Sequence, residues 1–443
     1  MGVTYSSSRD APISGALSRA VAVELLRSVL RDRRPLDHAL EDHPLLPSLE
    51  GRDRSHVRMI VATTLRRLGQ IDRAIARHLR RPLPDRASIV HDVLRVGSAE
   101  LLFLRTPPHA AVDTAVWLTA HLGFAGHKGL VNAVLRRLAG HHSDGTEGLP
   151  VGINTPGWLY ESWVSAYGEH AAEAIAAAHL DEAPLDITLK RDDDALRYAE
   201  ALDAQTLSTG TLRRRGGGSI RDLPGFEDGD WWVQDTAAAL PVRLLGDIAG
   251  RPVIDLAAAP GGKTAQLIAA GAVVTAVDRS APRMLRLQGN LDRLRLRVAE
   301  AVVADAVTWR PEQMAERVIV DVPCSATGTI RRHPDLPYLK SRSDVARLAE
   351  LQRRMLRAAV DMTVPGGIIV YACCSLQPEE GRQQVDALIA SGAPVVHDPV
   401  NAADVRDHAE FISPCGDLRT MPYHLGTHGG MDGFFASRLR RLP

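Results

Sequence analysis

The fold is indicated most clearly by residues 255–264, which read Asp255-Leu256-Ala257-Ala258-Ala259-Pro260-Gly261-Gly262-Lys263-Thr264. An apolar run at residues 252–256 predicts a buried strand, and an amphipathic helix is predicted to begin near Lys263. The two glycines between them let the backbone pass close to a ligand just before a helix amino terminus. This order of strand, loop and helix is typical of an open α/β sheet with a nucleotide-like cofactor loop.

The alternation of short apolar runs and amphipathic helices continues from about residue 233 to the end of the chain. It predicts an α/β domain with a sheet covered by helices on both faces. Further helices are predicted to begin near Pro282, Ser343 and Pro378. The other predicted strands, which bring the sheet to seven, are residues 273–278, 300–304, 317–322, 367–372, 394–397 and 433–439.

The glycine loop differs from two common phosphate-binding motifs. A P-loop requires a glycine where this chain has Ala257, and the dinucleotide pattern G-x-G-x-x-G is absent. An adenosine ligand without phosphates fits the loop best. Asp278, at the end of the second predicted strand, is expected to accept hydrogen bonds from ribose hydroxyls, and Asp305, near the end of the third, to reach the adenine edge. Either aspartate taken alone is more often a helix cap, and the glycine loop beside them favours the role in ligand binding.

The charge distribution divides the 443 residues into regions of different character. Overall, 53 lysine and arginine residues balance 53 acidic residues. Residues 11–140 hold 20 basic against 12 acidic residues, a net charge of +8, whereas residues 141–230 hold 7 against 17, a net of −10. The predicted organisation is a flexible tail at 1–14, a helical domain at 15–142, a linker and small α/β module at 143–232, and the α/β domain at 233–443.

The helical region is rich in arginine, which pairs with phosphate in a bidentate geometry. RNA binding and a solvated helix face both remain open interpretations of this charge. The loop predicted at residues 213–218 adds a triple arginine that could also contact RNA. The arginines of the helical region are Arg52, Arg54, Arg58, Arg66, Arg67, Arg73, Arg77, Arg80 and Arg81.

Cysteine usage and hydropathy exclude several classes of protein. The four cysteines are too few and too unevenly spaced for a disulfide framework, and no zinc-ligand spacing is present. No apolar run approaches the roughly 20 residues that a bilayer crossing needs. The chain is therefore expected in a reducing cytoplasm, without a membrane or a metal.

Two predicted strands each end in a cysteine. Residues 320–325 carry Cys324, and residues 370–375 carry Cys373 and Cys374. A single cysteine at such a place is more often a packing residue than a catalytic one. Two cysteines at strand ends that face one cofactor loop indicate chemistry instead.

These motifs together resemble the Nol/Nop/Sun family of RNA cytosine-5 methyltransferases. The resemblance is carried by the glycine loop, by the Cys374-Ser375 strand end, and by Asp321-Val322-Pro323-Cys324-Ser325-Ala326-Thr327-Gly328, Arg331-Arg332-His333-Pro334-Asp335 and Asp432-Gly433-Phe434-Phe435. The helical region resembles a NusB-like RNA-binding domain through Pro107-Pro108-His109-Ala110-Ala111-Val112 and Gly129-Leu130-Val131-Asn132-Ala133-Val134-Leu135-Arg136. The resemblance implies a class I, Rossmann-like methyltransferase that uses S-adenosylmethionine and acts on a looped or single-stranded cytosine in 16S ribosomal RNA.

The resemblance also implies residue roles. Cys374 would attack carbon 6 of the cytosine, and Cys324 would assist release of the product. Asp321 would stabilise the ring at N3, and Lys263 would support the site electrostatically. Residues that would hold the cofactor are Ala257, Ala258, Ala259, Pro260, Gly261, Gly262, Lys263, Asp278, Asp305 and Asp321.

The chain departs from the family pattern at Cys373, where a threonine is more typical, so two neighbouring thiols compete for the attacking role. Side chains alternate along a strand, so only one of the two can face the cleft, and the Cys-Ser spacing favours Cys374. Two other functions are compatible with parts of the sequence. A DNA cytosine-5 methyltransferase would attack with the cysteine after proline and would not be expected to carry the second one. The other alternative is a catalytically inactive RNA-binding assembly or antitermination factor.

Overall fold

The computed structural model describes residues 15–140, 148–216 and 218–443. The predicted tail at residues 1–14 lies outside this description, as do residues 141–147 of the predicted linker. The chain divides into two compact units. The first comprises Met1–Val164, Glu169–Leu180 and His333–Lys340, and the second comprises Ser165–Gly168, Asp181–Arg332 and Ser341–Pro443.

The first unit is helical, which confirms the helical interpretation of the amino-terminal region. Leu26, Ile60, Leu94 and Leu135 are fully buried in one apolar cluster that its helices share. The helices are α1 (Ala16–Leu30), α2 (Leu36–Glu41), α3 (Gly51–Arg66), α4 (Leu68–Ala76), α5 (Ser88–Leu102), α6 (Pro108–Thr119), α7 (Lys128–Gly140), α8 (Gly157–Tyr167, which ends in the second unit), α9 (Glu169–Ala178) and α14 (Leu336–Leu339).

The arginines of the first unit differ in how far their side chains are exposed to solvent. Arg19 is buried and donates two hydrogen bonds, of 2.8 and 2.7 Å, to the carboxylate of Glu100. Arg66 and Arg67 are half-buried. The other arginines singled out from the sequence are exposed, namely Arg52, Arg54, Arg58, Arg73, Arg77, Arg80 and Arg81. Most of the predicted RNA-binding charge therefore lies on the surface.

A segment encoded much later in the chain, His333–Lys340, also belongs to the first unit. The carboxylate of Asp335 accepts a hydrogen bond of 2.8 Å from the backbone N–H of Leu36 at the start of α2. The hydroxyl of Tyr338 donates to the carbonyl oxygen of Leu65 at 2.9 Å, and burial raises the pKa of this phenol. Part of the Arg331–Asp335 motif thus completes the helical unit.

The second unit contains a small antiparallel sheet with the strand order β2-β3-β1-β4. Its elements are β1 (Leu185–Leu189), α10 (Ala195–Ala201), β2 (Ala204–Thr206), β3 (Leu212–Arg214) and β4 (Trp231–Val233). The prediction that Arg213 lies in a loop and contacts RNA is wrong. This residue lies in β3 and is 2% exposed. Its guanidinium donates to both carboxylate oxygens of buried Asp186, each at 2.7 Å. Sequence alone could not pair these residues, because the ion pair joins two separate strands.

The large sheet of the second unit has the order β10-β12-β9-β8-β5-β6-β7, and β11 pairs with β12. Strands β5 to β9 run parallel in the pairs β5 with β6, β5 with β8, β6 with β7 and β8 with β9, whereas β12 is antiparallel to β9. The strands are β5 (Pro252–Leu256), β6 (Val273–Asp278), β7 (Glu300–Val303), β8 (Ala315–Asp321), β9 (Thr363–Cys373), β10 (Val395–His397), β11 (Leu418–Thr420) and β12 (Phe434–Arg441).

Helices cover both faces of this sheet, as predicted. They are α11 (Thr236–Arg243), α12 (Gly262–Ala269), α13 (Ala281–Leu294), α15 (Arg342–Met362) and α16 (Arg382–Ala390). Met355 and Leu388 pack in the core on one face, and Leu240 and Leu267 pack on the other. One predicted helix start is wrong: Pro378 begins only the short 3-10 turn Pro378–Glu380, and α16 begins at Arg382. Glycine at position 381 interrupts the helical backbone between them.

The parallel strands place the carboxyl ends of β5, β6, β8 and β9 along one edge of the sheet. All seven predicted strands are present, and β11 adds an eighth that the pattern did not predict. Among the described helices, none combines the length and apolar character needed to cross a membrane.

Candidate active site

The loop between β5 and α12 is held in a turn that favours glycine. Gly261 has a φ of 105°, in the left-handed region, and its N–H donates to the carbonyl oxygen of Ala258 at 2.9 Å. A Cβ atom at this position would lie 3.0 Å from Cγ of Leu287 in α13. The predicted cofactor loop therefore passes close to α13 and has no room there for a side chain.

Asp278, at the end of β6, supports this loop. Its Oδ2 accepts a hydrogen bond of 3.2 Å from the N–H of Ala259, and its Oδ1 accepts one of 2.9 Å from the N–H of Ser280. Arg283 lies 3.4 Å from Oδ2 and donates to the carbonyl oxygen of Ala259. The carboxylate thus orders the loop and also bonds the residue that caps α13.

Asp305 lies just beyond β7 and is exposed. Its Oδ1 accepts from the N–H of Val307 at 2.9 Å. The N–H of Ala304 donates to the carbonyl oxygen of Asp278 at 3.1 Å, which places the start of the Asp305 loop beside the end of β6. The two predicted adenosine contacts therefore follow adjacent strands at one edge.

Lys263 and Asp321 form an ion pair across the site. The ammonium of Lys263 lies 2.8 Å from Oδ2 of Asp321, and it also lies 4.9 Å from the ring centre of Phe434. The lysine is mostly buried, whereas the side chain of Asp321 is 33% exposed. The pair therefore connects the first turn of α12 with the end of β8 and leaves part of the carboxylate open to solvent.

The structure brings the two predicted catalytic cysteines together. The Sγ atoms of Cys324 and Cys374 are 3.3 Å apart, and both side chains are half-buried. Cys373 is fully buried, and its Sγ contacts the carbonyl oxygen of Glu380 at 3.2 Å. Cys373 is the last residue of β9 and packs in the core on one face of the sheet, whereas Cys374, just beyond β9, packs against the core on the other face.

The thiol contact and burial both affect protonation. The hydrogen bond with Cys374 is the largest cause that raises the pKa of Cys324 well above its ordinary range, and burial adds to it. Burial likewise raises the pKa of Cys373. Both groups therefore keep their protons at neutral pH, and Cys324 can donate its S–H to Cys374.

The sequence did not predict a role for the buried carboxylate of Glu380, which contacts the residues that follow Cys324 and Cys374. Its oxygens accept hydrogen bonds from Ser325, Ser375 and Gln352. The stretch Gln377-Pro378-Glu379-Glu380 was interpreted only as a helix start. Two acidic residues there are the one available signal, and they do not show which of the two is buried.

The remaining motif residues build the frame of the site. Arg332 donates to Asp235 at 2.5 Å and to Asp432 at 3.1 Å. Although burial raises the pKa of Asp235, the guanidinium groups of Arg332 and Arg331 lower it to about 2. The N–H of Gly433 donates to the carbonyl oxygen of Gly328 at 2.9 Å. These contacts fix the loop after Cys324 against the segment that enters β12.

Two families of known proteins match separate parts of the chain. Residues 244–440 match the family described as 16S rRNA methyltransferase RsmB/F, and residues 16–140 match the NusB family. The chain is 35% identical over 437 residues to the ribosomal RNA small subunit methyltransferase B of Shewanella oneidensis, covering 95% of this chain and 98% of that protein. The chain belongs to this family of 16S rRNA methyltransferases.

Other members and solved structures extend the similarity. The methyltransferase B of Yersinia enterocolitica is 34% identical over 384 residues, which cover 83% of this chain and 88% of that one. The crystal structure of PH0851 has a TM-score of 0.74 at 21% identity and covers 98% of this chain and 100% of its own. NSun6 from Pyrococcus horikoshii, solved with SFG, has a TM-score of 0.53 at 19% identity and covers 65% of this chain and 98% of that chain. These two structures show the shared fold.

Proposed function

We propose that this rRNA methyltransferase modifies carbon 5 of a cytosine in 16S ribosomal RNA through a covalent bond between Cys374 and carbon 6. The observation that carries the proposal is the distance of 3.3 Å between the Sγ atoms of Cys324 and Cys374. Two strand ends deliver these thiols to one place beside the loop at residues 257–262. Such a pair can act on two adjacent carbon atoms of one ring.

Carbon 5 of cytosine is a weak nucleophile, which explains the need for an attacking thiolate. Addition of the Cys374 thiolate to carbon 6 makes carbon 5 electron-rich, as in other covalent catalysis. Cys324 supports this step because its S–H can donate to the Cys374 sulfur and stabilise the negative charge. Cys373 takes no part, since its sulfur is buried against Glu380.

Asp321 is the residue proposed to act at N3 of the cytosine. Charge develops on N3 as the thiolate adds, and a positioned acid or hydrogen-bond donor stabilises it. The Asp321 carboxylate must carry a proton to act on N3, and the Lys263 ammonium, whose nitrogen lies 2.8 Å from Oδ2, is proposed to supply that proton. Because the Asp321 side chain is partly exposed, its carboxyl group is accessible to the target cytosine.

Release of the product requires a base for the proton on carbon 5. Once that proton has left, the electron pair of the carbon–hydrogen bond restores the ring double bond and expels the Cys374 thiolate. Cys324 is the group proposed to assist this step, because its sulfur lies beside that of Cys374. Once the Cys374 sulfur is bonded to carbon 6 it carries no negative charge, so Cys324 can lose its S–H proton to solvent and then accept the proton of carbon 5. Over the whole cycle the RNA exchanges one hydrogen for one methyl group, and one proton is released.

The loop and the aspartates fit S-adenosylmethionine, which supplies the methyl group when bound. The turn at Gly261 holds the loop backbone at the carboxyl end of β5, where ligands of such sheets bind. Residues proposed to hold the ligand are the loop 257–263 with Asp278, Asp305 and Asp321. Asp278 already accepts two backbone hydrogen bonds, so its contact with ribose would use the remaining lone pairs of its carboxylate.

The rRNA is proposed to bind through phosphate contacts in the helical region at 15–142 and to be modified by the region at 233–443. The target base must be looped or flipped out, because carbon 6 is inaccessible inside a duplex. The free cysteines favour the cytoplasm as the place of the reaction.

The base and atom specificity can be tested by bisulfite sequencing of 16S rRNA from cells with and without this gene. We expect one cytosine to lose its protection when the gene is deleted. Complementation with the wild-type gene should restore the protection, whereas Cys374→Ala should not. An unchanged pattern of protected cytosines after deletion contradicts the proposal.

A further inference from the structure

Glu380 is fully buried, and its carboxylate accepts hydrogen bonds from the two serines that follow the reactive cysteines in the chain. Oε1 accepts a hydrogen bond of 2.8 Å from the N–H of Ser325 and one of 3.0 Å from the amide nitrogen of Gln352. Oε2 accepts from the hydroxyl of Ser375 at 2.6 Å and from the hydroxyl of Ser325. Four donors from neutral groups therefore replace the water that a carboxylate would otherwise bind.

The donors come from the two chain segments that carry the reactive thiols. Ser325 follows Cys324, and Ser375 follows Cys374. The hydroxyl oxygens of the two serines are 3.0 Å apart and share the same carboxylate oxygen. A single side chain thus links the loop after β8 to the end of β9.

The backbone of Glu380 fixes the other side of β9. Its carbonyl oxygen accepts a hydrogen bond of 2.6 Å from the hydroxyl of Tyr371 and a contact of 3.2 Å from Sγ of Cys373. Both partners are fully buried. These contacts fix Cys373 in the core on one face of the sheet, whereas Cys374 packs against the core on the other face.

We propose that Glu380 is a positioning residue that sets the distance and orientation between the Cys324 and Cys374 thiols. The proposal rests on the proposed function, in which both thiols act on one pyrimidine ring. Addition at carbon 6 and proton removal at carbon 5 take place on bonded atoms, so a small displacement of either sulfur lowers the rate. Loss of the carboxylate would release both serines and let the two segments move apart.

Charge and geometry make opposite predictions for this residue. The negative charge of Glu380 contributes to the raised pKa of Cys324, so removing it favours thiolate formation. If Glu380 acted only through its charge, a variant without the carboxylate would therefore form the disulfide between Cys324 and Cys374 faster. If Glu380 acts by positioning the two thiols, the same variant forms the disulfide more slowly. Glutamine separates the two, because it removes the charge and can keep four contacts if the serine hydroxyls reverse their direction.

The geometry can be measured without RNA through disulfide formation. We would oxidise the Cys373→Ser, Cys415→Ser protein with diamide, which takes up the two thiol hydrogens as the bond between Cys324 and Cys374 forms. Loss of free thiol and the matching decrease in mass give the rate. We expect Glu380→Ala to form the bond about 10- to 100-fold more slowly than this parent protein, and Glu380→Gln to be affected much less than Glu380→Ala.

Glu379→Ala is the matched control, because Glu379 is the exposed neighbour in the same turn. It should oxidise at the rate of the parent protein. A Glu380→Ala rate equal to or above that of the parent overturns the proposal. If Glu380→Ala does not fold, Ser375→Ala replaces it: a rate lowered by about fivefold supports the proposal, and an unchanged rate overturns it.

The consequence for catalysis is measured in a Cys324→Ala protein, which is expected to accumulate a covalent RNA adduct. Adding Glu380→Ala should slow adduct formation, because it releases Ser375 beside the remaining thiol of Cys374, while affinity for S-adenosylmethionine stays the same. An unchanged adduct rate overturns the assignment of the Cys374 orientation to Glu380. Failure of Cys324→Ala itself to form an adduct contradicts the proposed function instead. The disulfide rates still decide whether Glu380 positions the thiols.

Discussion

Lys263 and Asp321 are joined by an ion pair of 2.8 Å that connects the first turn of α12 to the end of β8. We expect Asp321→Asn to lower the single-turnover rate of methylation by at least about 100-fold, because general acid and base groups typically contribute that much. Asparagine keeps the shape of the side chain but cannot supply a proton. A wild-type rate in Asp321→Asn would remove this residue from the mechanism.

Lys263→Met should also lower the methylation rate, because it removes the positive charge that holds Asp321. The rate should fall less than in Asp321→Asn, since the carboxyl group itself remains. Single-turnover measurements at saturating RNA and cofactor compare the two variants. A larger loss in Lys263→Met than in Asp321→Asn would assign the principal electrostatic role to the lysine.

Gly261 tests the cofactor loop. A valine there must adopt a φ of 105° and place its Cβ 3.0 Å from Leu287, so the loop has to shift. We expect Gly261→Val to weaken S-adenosylmethionine binding by about 1–2 kcal/mol, as measured by calorimetry. Gly246→Val is the matched control, because Gly246 also has positive φ, at 72°, but has open space around it. Equal affinity in the two folded variants would contradict the loop assignment.

The exposed arginines test the proposed contact with rRNA. Deletion of the helical region would be a poor test, because it removes the partners of Asp335 and Tyr338 within the first unit. We therefore choose glutamine at Arg52, Arg54, Arg80 and Arg81 in the full chain. Each lost phosphate contact lowers the slope of log affinity against log salt by about 0.7, so the slope should fall by up to about 3.

Cofactor affinity and thermal unfolding should be unchanged in this fourfold variant, which shows that only the surface charge has been altered. RNA affinity measured over a range of salt concentrations gives the slope. A slope equal to that of the wild type would identify these arginines as a solvated surface.

Asp255 predicts a pH dependence of stability. Burial raises its pKa to about 7, and Thr264 donates its only described hydrogen bond, of 2.6 Å. Between pH of about 4 and 7 the folded protein keeps this proton, whereas the unfolded chain releases it. The contribution of Asp255 to the free energy of unfolding is therefore greatest at the acidic end and falls by up to about 4 kcal/mol as the pH rises to 7.

Asp255→Asn cannot titrate, so its free energy of unfolding should rise relative to that of the wild type over the same pH range. Urea unfolding of both proteins at several pH values measures the difference. A difference that stays constant from pH 4 to 7 would contradict the assigned pKa.

The sequence was sufficient for elements with strong local signals. The bounds of β5 and β6 agree with prediction to the residue, because each strand is a short, mostly apolar run, and β6 ends at Asp278. β11 has only three residues and depends on pairing with β12, so no local pattern marks it. The burial of a charged residue was equally unpredictable from local sequence. Arg213 is buried in an ion pair with Asp186 on another strand, and no residue near Arg213 in the sequence indicates this partner.

The site shows a similar division. The motifs identified Cys324 and Cys374 because their chemistry is rare at strand ends. Glu380 was missed because its role depends on Ser325, which lies 55 residues away in the chain. A buried carboxylate without a cationic partner is unusual, and only its four donors explain it. Hydrophobic periodicity and motif spacing cannot predict contacts between residues so far apart in the chain.

The central claim concerns the separate roles of the two cysteines. Cys324→Ala should complete the addition and methyl transfer but fail to release the RNA, whereas Cys374→Ala cannot form the bond to carbon 6. Cys373→Ala, on the opposite face of β9, is the matched control and should retain most of the turnover.

The most direct test is a denaturing gel after incubation of each variant with RNA and S-adenosylmethionine. We predict a slower protein–RNA band for Cys324→Ala, no such band and no methylated RNA for Cys374→Ala, and normal methylation without a stable band for Cys373→Ala. Loss of activity in Cys373→Ala together with an adduct or full activity in Cys374→Ala would contradict the account.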